Sequence, residues 1–217
     1  MQQLTLNIQS PAPARLEDVV PGRNAEALAM LCAISEGETQ EPVYLWGPPG
    51  CGKSLMLAAL AEGLPGANLV CGRAVEWPAH EGPLLIDDVE RLNGENQIEA
   101  FNCYNRNRSA AVAWVASGSQ PPSGFRGLRD DLRTRLAWGL IYQLHPLNDA
   151  EKREALVKRA DQLGFALEAS IADYLLTRYS RDLRQLLAVV DALDRFSLEQ
   201  QRRVSLPLLK SLLPNRR

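Results

Sequence analysis

The residues with the clearest chemistry form a glycine-rich loop between an apolar run and a helical pattern. The loop is Gly47-Pro48-Pro49-Gly50-Cys51-Gly52-Lys53-Ser54, and it fits the phosphate-binding pattern GxxxxGK[ST]. Glycines let backbone N–H groups turn inward onto phosphate oxygens, and the positive end of the following helix adds to the attraction. In this pattern Lys53 reaches the outer phosphates and the Ser54 hydroxyl coordinates Mg²⁺. The loop therefore predicts binding of ADP or ATP with Mg²⁺.

Two carboxylates follow a second apolar run, Leu84-Leu85-Ile86, further along the chain. Asp87 is predicted to hold Mg²⁺ through water, as the second metal-positioning group of P-loop nucleotidases. Asp88 is a candidate for activating the attacking water, although its side chain is one methylene shorter than the glutamate that often does so. The alternative for both residues is a solvated strand end.

Composition limits the classes of protein that fit. The 217 residues carry 24 basic and 26 acidic side chains, and a net charge of −2 disfavours a protein that coats DNA. No apolar run approaches the roughly 20 residues that span a bilayer, and no secretory signal precedes the core. The four cysteines are scattered, which indicates reduced thiols. These features predict a cytoplasmic protein without membrane contact.

Hydrophobic periodicity predicts the elements that position the loop and the carboxylates. Helical patterns alternate with short apolar runs, which indicates an α/β fold with a parallel five-stranded sheet flanked by helices. The tryptophans Trp46, Trp114 and Trp138 lie in or beside these runs and are predicted to be buried. The predicted buried strands cover 43–46, 84–86, 111–116 and 140–144, and a weaker candidate covers 68–70.

The pattern changes after Pro146, where the strands stop. Asn148 and Glu151 have the spacing of a capping box that opens a helix, and further helical patterns follow it. The sequence thus predicts an N-terminal tail and linker over 1–14, a nucleotide-binding α/β domain over 15–146 and a helical lid domain over 147–217.

Four further stretches have motifs that resemble those of AAA+ proteins of the bacterial initiator (DnaA) clade. They are Leu16 to Asn24, Gly118 to Pro122, Asp131 to Gly139 and Ser180 to Leu186. Together with the phosphate loop they are distributed along most of the chain, and they are most similar to the shortened Hda branch, the regulatory inactivators of DnaA.

The resemblance assigns a role to residues in each stretch. Val19 and Val20 match the segment that lies against the adenine. Arg135 matches the arginine finger, which acts in trans on a partner's nucleotide. Arg184 matches the second sensor, for which Arg181 competes, and Ser119 occupies the first-sensor turn, where the family usually has an acidic residue.

Residue pattern alone leaves a second interpretation open for the arginines. Arg129, Arg133 and Arg135 also fit a solvated basic face. Arg184 likewise fits a surface helix arginine opposite Asp182 or Glu199.

The N-terminus resembles the short peptide by which replication proteins dock on the sliding clamp. Gln3 would supply directional hydrogen bonds, and the apolar side chains would enter a groove of the clamp. An edge strand or a disordered tail is the alternative, and Asn7 departs from the usual apolar or proline residue. The predicted clamp-binding residues are Gln3, Leu4, Thr5, Leu6 and Ile8.

The resemblance implies a regulator of DNA replication initiation. Such a protein binds ADP or ATP, docks on the sliding clamp (the beta subunit of DNA polymerase III) and stimulates hydrolysis of DnaA-bound ATP, which prevents re-initiation. DNA is then reached through the clamp, self-association stays open, and any ATPase activity of the chain itself is weak. The alternative function is a self-contained ATPase that loads or remodels a helicase. An origin-binding module is disfavoured by the net charge and by the lack of room for a DNA-reading module.

Overall fold

The computed structural model describes residues 15–74, 77–78, 81–180 and 182–213. These residues divide along the chain between Pro146 and Leu147 into two compact units, an α/β unit and a helical unit. The predicted clamp-binding residues Gln3 to Ile8 and the competing sensor residue Arg181 lie outside the described residues.

The α/β unit is built on one five-stranded sheet with the order β2-β3-β4-β1-β5. All neighbouring strands are parallel, which confirms the predicted fold class. Parallel neighbours require crossover connections, and helices provide them on both faces of the sheet. The strands are β1 (Val43–Trp46), β2 (Asn68–Cys71), β3 (Leu84–Asp87), β4 (Trp114–Gly118) and β5 (Leu140–Gln143).

Two hydrophobic clusters fill the two faces of the sheet, because successive side chains of a strand point to opposite sides. Val43 and Leu45 of β1 pack in the first cluster with residues of α1 and α2. Tyr44, between them, packs in the second cluster with residues of α3 and α4. The helices are α1 (Ala25–Ser35), α2 (Lys53–Gly63), α3 (Gly94–Ala110) and α4 (Asp130–Trp138).

Two strand predictions need correction. The run 111–116 does not begin a strand at Ala111, because α3 continues to Ala110 and Ala111 closes it with φ +52°, so β4 starts only at Trp114. The run 140–144 is a strand but not a buried one. It lies at the edge of the sheet beside β1, and its residues Leu140 and Ile141 are exposed. Apolar composition alone does not distinguish an edge strand from a central one.

The three tryptophans that were predicted to be buried differ in their exposure. Trp114 is buried and meets Tyr104 edge to face, with 5.2 Å between the ring centroids. Trp46 is partly buried against the second cluster. Trp138 contradicts the prediction, because it ends α4 and its side chain is 61% exposed. No helix in the described part of the chain is long and apolar enough to cross a membrane.

The helical unit has its own core, in which Leu156, Leu175 and Leu186 are fully buried. The predicted capping box is confirmed. The Asn148 side chain accepts a hydrogen bond from the Glu151 backbone N–H, and the Glu151 side chain accepts one from the Asn148 N–H. The four helices are α5 (Asp149–Gln162), α6 (Ala169–Arg178), α7 (Leu183–Gln200) and α8 (Leu206–Leu212).

Hydrogen bonds of the Asn24 side chain connect the start of the α/β unit to its end. The side-chain amide donates to the His145 carbonyl oxygen at 2.9 Å and accepts from the His145 N–H at 2.7 Å. Because Asn24 is buried, we expect Asn24→Ala to lower the free energy of unfolding by about 1–3 kcal/mol, as two partly buried backbone groups lose their partner.

Urea unfolding followed by tryptophan fluorescence measures this change, because all four tryptophans precede Pro146 and report on the α/β unit. The control is Asn102→Ala on α3, which removes a half-buried amide without a hydrogen bond to any described residue. An Asn24→Ala variant as stable as Asn102→Ala would contradict the role assigned to this amide.

Candidate active site

The strand order brings the phosphate loop and the carboxylates together. Strand β4 pairs with β1 on one side and with β3 on the other. The loop that starts at Gly47 follows β1, and Asp87 ends β3. The carboxyl ends of parallel strands form the crevice in which α/β proteins bind their ligands. Both groups therefore lie at the ligand-binding edge of the sheet.

The phosphate loop is folded around its own ammonium group. Lys53 is buried, and its Nζ donates to the carbonyl oxygens of Gly47 at 2.8 Å and Pro48 at 3.3 Å. Gly52 has φ +104° at the start of α2, a conformation that L side chains rarely adopt. A Cβ on Gly47 would collide with the Leu144 carbonyl oxygen. The loop thus has the glycine geometry and the central cation that a phosphate group requires.

Ser117 is a site residue that the sequence analysis missed. Its side chain is completely buried at the end of β4. The hydroxyl donates to Asp87 Oδ1 at 2.6 Å and accepts from the Asp88 backbone N–H at 3.1 Å. Ser117 therefore orients the carboxylate predicted to hold Mg²⁺. A serine in a strand of small residues carries no signal of this role, since only the strand order places it beside Asp87.

Asp88 has an environment that suits a base. It adopts the left-handed conformation with φ +58°, which is uncommon for a residue other than glycine. Partial burial, and then the adjacent charge of Asp87, raise the pKa of the Asp88 carboxyl, while Arg91, whose Nε lies 3.3 Å from Asp88 Oδ2, opposes the rise. A carboxylate with a raised pKa accepts a proton more readily. This environment is compatible with the predicted activation of water.

The turn after β4 contains Ser119, the predicted first-sensor residue. Ser119 is exposed, and its backbone N–H donates to Glu90 Oε1 at 3.1 Å. The Tyr44 hydroxyl donates to the Gln120 carbonyl oxygen at 2.8 Å. Burial, together with the charges of Glu90 and Asp88, raises the pKa of Tyr44, so this hydroxyl keeps its proton. The turn is held by its backbone, and Ser117, not Ser119, contacts Asp87.

The remaining predicted residues of the α/β unit lie in two places. Val19 and Val20 are buried after the short 3₁₀ turn Leu16–Asp18, and Val19 packs in the first cluster with residues of α1 and α2. Ser54 is exposed in the first turn of α2. Its hydroxyl and the Asp87 carboxylate are the hard oxygen donors that Mg²⁺ prefers.

Arg135 lies on α4 among aromatic rings. The carbon of its guanidinium is 4.1 Å from the ring centroid of Trp138, 5.4 Å from that of Phe101 and 5.7 Å from that of Tyr104. Its Nε is buried and makes no hydrogen bond within the described part of the chain. The other arginine of α4 differs, because Arg133 pairs with Asp130 at 2.7 Å.

Comparisons with known proteins agree with this geometry. The crystal structure of domain III of the Thermotoga maritima replication initiation protein DnaA is similar, with a TM-score of 0.73 and 20% identity over 92% of this chain and 95% of that one. AMPPCP-bound DnaA from Aquifex aeolicus matches with a TM-score of 0.68 and 19% identity, over 88% of this chain and 68% of that one. At such identities these matches establish the fold.

A third solved structure extends the likeness beyond DnaA. The RuvB Holliday junction branch migration motor of Thermotoga maritima matches with a TM-score of 0.61 and 21% identity, over 87% of this chain and 66% of that one. Residues 149–213 match the family model described as "Hda, lid domain". The chain therefore has the fold of these proteins, and its helical unit is similar to the lid domain of Hda. The lid match covers α5 to α8.

Arg184, the predicted second sensor, belongs to the Hda-type lid. It lies in the first turn of α7, where Asp182 caps the helix and accepts a hydrogen bond from the Arg184 N–H at 2.9 Å. The Arg184 guanidinium is 77% exposed and lies 3.6 Å from Asp182 Oδ2. An exposed pair of this kind holds a side chain weakly. The guanidinium is therefore available to a ligand.

Ser117 and Ser119, which lie at and just after the end of β4, can be compared directly by mutation. We expect Ser117→Ala to lower the free energy of unfolding by about 1–3 kcal/mol, because the Asp88 N–H and the Asp87 carboxylate lose a shared partner. Ser119→Ala is the control, since this exposed residue is held through its backbone, and we expect a change within about 0.5 kcal/mol. Urea unfolding measures both variants. Equal effects would contradict the positioning role of Ser117.

Proposed function

We propose that this chain regulates the initiation of DNA replication by stimulating hydrolysis of the ATP held by the DnaA initiator. In this function Arg135 acts as an arginine finger in trans, and the chain's own nucleotide sets its conformation. Converting the initiator to its ADP form prevents re-initiation. The Hda-type lid and the DnaA-like AAA+ fold support a replication regulator of this class.

The observation that carries the proposal is the contrast among the three arginines of the predicted finger segment. Arg129 pairs with Asp131 at 2.8 Å and Arg133 with Asp130 at 2.7 Å. Arg135 forms no ion pair or hydrogen bond within the described part of the chain. In a solvated basic face, we would expect the three guanidinium groups to have similar partners. The Arg135 guanidinium instead has no acidic partner in the described part of the chain, so it can pair with an anion of another protein.

A guanidinium supplied across an interface stabilises the charge that develops on a transferring γ-phosphate. Finger arginines of this kind accelerate hydrolysis on the order of 10³–10⁵-fold. The delocalised, planar cation matches phosphate oxygens and keeps its charge at every physiological pH. Arg135 thus has the chemistry that the proposed activity requires.

The chain's own site would hold ADP or ATP. Residues Gly47 to Ser54 would surround the phosphates, Val19 and Val20 would lie against the adenine, and Arg184 would sense the nucleotide from the lid. Ser54 and Asp87 would hold Mg²⁺, whose charge neutralises the phosphates. The cation enclosed by the loop and the oriented Asp87 support this assignment.

The last part of the proposal is docking of the N-terminal tail on the sliding clamp. The tail residues Gln3 to Ile8 would dock on the sliding clamp, the beta subunit of DNA polymerase III, so that DNA is reached through the clamp. Tethering to DNA-loaded clamp raises the local concentration of the chain near the initiator. Self-association of the chain is compatible with the same finger geometry.

A self-contained ATPase, such as a helicase loader, is the second candidate. The observation that favours it is the position of Asp88, which directly follows Asp87 at the ligand-binding edge of the sheet and whose backbone N–H donates to the Ser117 hydroxyl. The two functions differ in which protein turns over ATP. Turnover by the isolated chain, abolished by Asp88→Asn, would favour the second.

Nucleotide binding depends on Lys53 in both candidates. We expect Lys53→Ala to weaken the affinity for a fluorescent ADP analogue by about 10–100-fold, because charge-assisted hydrogen bonds to the phosphates are lost. Titration by fluorescence anisotropy measures the affinity. The control Lys152→Ala removes the same charge from α5 of the lid. Equal affinities of both variants would contradict the assigned site.

Initiator turnover tests the main proposal. With DNA-loaded clamp present, we expect the chain to accelerate hydrolysis of initiator-bound ATP, and Arg135→Ala to remove on the order of 10³-fold of that acceleration. Arg133→Ala is the matched control on the same helix, and its ion pair with Asp130 is exposed, so it should retain the activity.

Two further arms separate the parts of the proposal. A Gln3→Ala/Leu4→Ala variant should lose stimulation on clamp-loaded DNA and should no longer be retained by immobilised clamp. Retention equal to that of the native tail would remove the clamp from the proposal. Unchanged initiator turnover on addition of the native chain would disprove the regulatory function.

A further inference from the structure

Trp138 is the exposed apolar side chain closest to the proposed finger. Its indole is 61% exposed, yet the Arg135 guanidinium lies only 4.1 Å from its ring centroid. The two residues are three positions apart on α4, a spacing that places side chains side by side on a helix. The guanidinium is therefore stacked on Trp138 rather than extended into solvent.

A second apolar residue extends this surface on α3. Ile98 is 41% exposed and lies one turn before Phe101, whose ring also contacts the Arg135 guanidinium. Ile98, Phe101, Arg135 and Trp138 thus form one surface across α3 and α4, which we call the finger face. Tryptophan and arginine are enriched among the residues that dominate protein interfaces. Exposed apolar side chains grouped around them are typical of docking surfaces.

The charge of the finger face defines what it can dock on. On α4 the guanidinium of Arg133 is neutralised by Asp130, whereas that of Arg135 is not neutralised by any described residue. An occupant that buries Arg135 must supply an anion, because a buried unpaired charge is strongly unfavourable. It must also offer an apolar recess beside that anion for Trp138 and Ile98. A nucleotide-loaded protein presents both features, at the phosphates and at the rim of the pocket.

We propose that the finger face docks on the ATP-loaded initiator, with Trp138 as its apolar anchor and as the residue that positions Arg135. This inference rests on the proposed function. The indole buries its free face against the partner, and its other face keeps the guanidinium stacked. The stack restricts the rotamers of Arg135 before docking, so less conformational freedom is lost on binding.

The test separates docking from catalysis. Association of the chain with the initiator loaded with a non-hydrolysable ATP analogue is measured without clamp, by sedimentation velocity. Initiator turnover is measured against the concentration of the chain. We expect Trp138→Ala to weaken docking at least tenfold and to raise the concentration for half-maximal turnover by a similar factor. Trp138→Phe should restore most of both, because an aromatic ring is kept.

Arg135→Ala should behave in the opposite way, with docking retained within a few-fold and maximal turnover lost. Ile98→Ala should weaken docking several-fold. The matched control is Leu69→Ala, an exposed leucine on the edge strand β2 of the same unit, which should leave docking unchanged. Because Trp138 is exposed, its variants should unfold at the same urea concentration as the native chain.

Several results would overturn the inference. Docking that Trp138→Ala leaves unchanged would do so. A rise in maximal turnover in Trp138→Ala would do so too, because the indole would then hold Arg135 back from the nucleotide. If Trp138→Ala weakened binding of a single-stranded oligonucleotide but not docking on the initiator, the finger face would be a base-stacking platform. Failure of the native chain to dock would overturn it as well. Trp138-dependent docking without stimulated turnover would disprove the proposed function and leave the docking face intact.

Discussion

The pairing of β4 with both β1 and β3 is the constraint on which the site depends. It sets the end of β4 between the phosphate loop and Asp87, so that one buried hydroxyl, that of Ser117, orients the carboxylate predicted to hold Mg²⁺ and accepts from the Asp88 N–H. A different strand order would separate these groups even with every strand intact. The chemistry therefore depends on tertiary arrangement, and the helices on both faces serve to bury and fix that arrangement.

The two cations of the α/β unit, Lys53 and Arg135, are held by different kinds of interaction. Lys53 is enclosed by neutral carbonyl oxygens of the loop, and an anionic phosphate is a stronger acceptor for its charge than they are. Arg135 is held by aromatic rings, whose attraction for a cation is weaker and less directional. The first arrangement suits a cation that binds phosphate in the chain's own pocket, and the second suits a cation that meets the anion of a partner at the surface of its own unit.

Local signals in the sequence predicted much of this structure. The phosphate loop and the capping box at Asn148 depend on short-range spacing, which survives in any tertiary context. The exposure of Trp138, the edge position of β5 and the role of Ser117 depend on which strands and helices become neighbours. Hydrophobicity reports that a residue prefers burial, and it does not report whether the fold supplies a neighbour. The ion pairs that distinguish Arg133 from Arg135 are equally invisible in the order of residues.

Hydrogen bonds on both sides of Pro146 limit the torsional freedom of the backbone there. Asn24 holds the backbone of His145 from both sides, and the capping box fixes the chain again from Asn148. Only Pro146 and Leu147 lie between these fixed points, and the proline ring removes one of their rotatable bonds. Very few backbone angles therefore remain free between His145 and Asn148, and this short connection is defined by local hydrogen bonds on both of its sides.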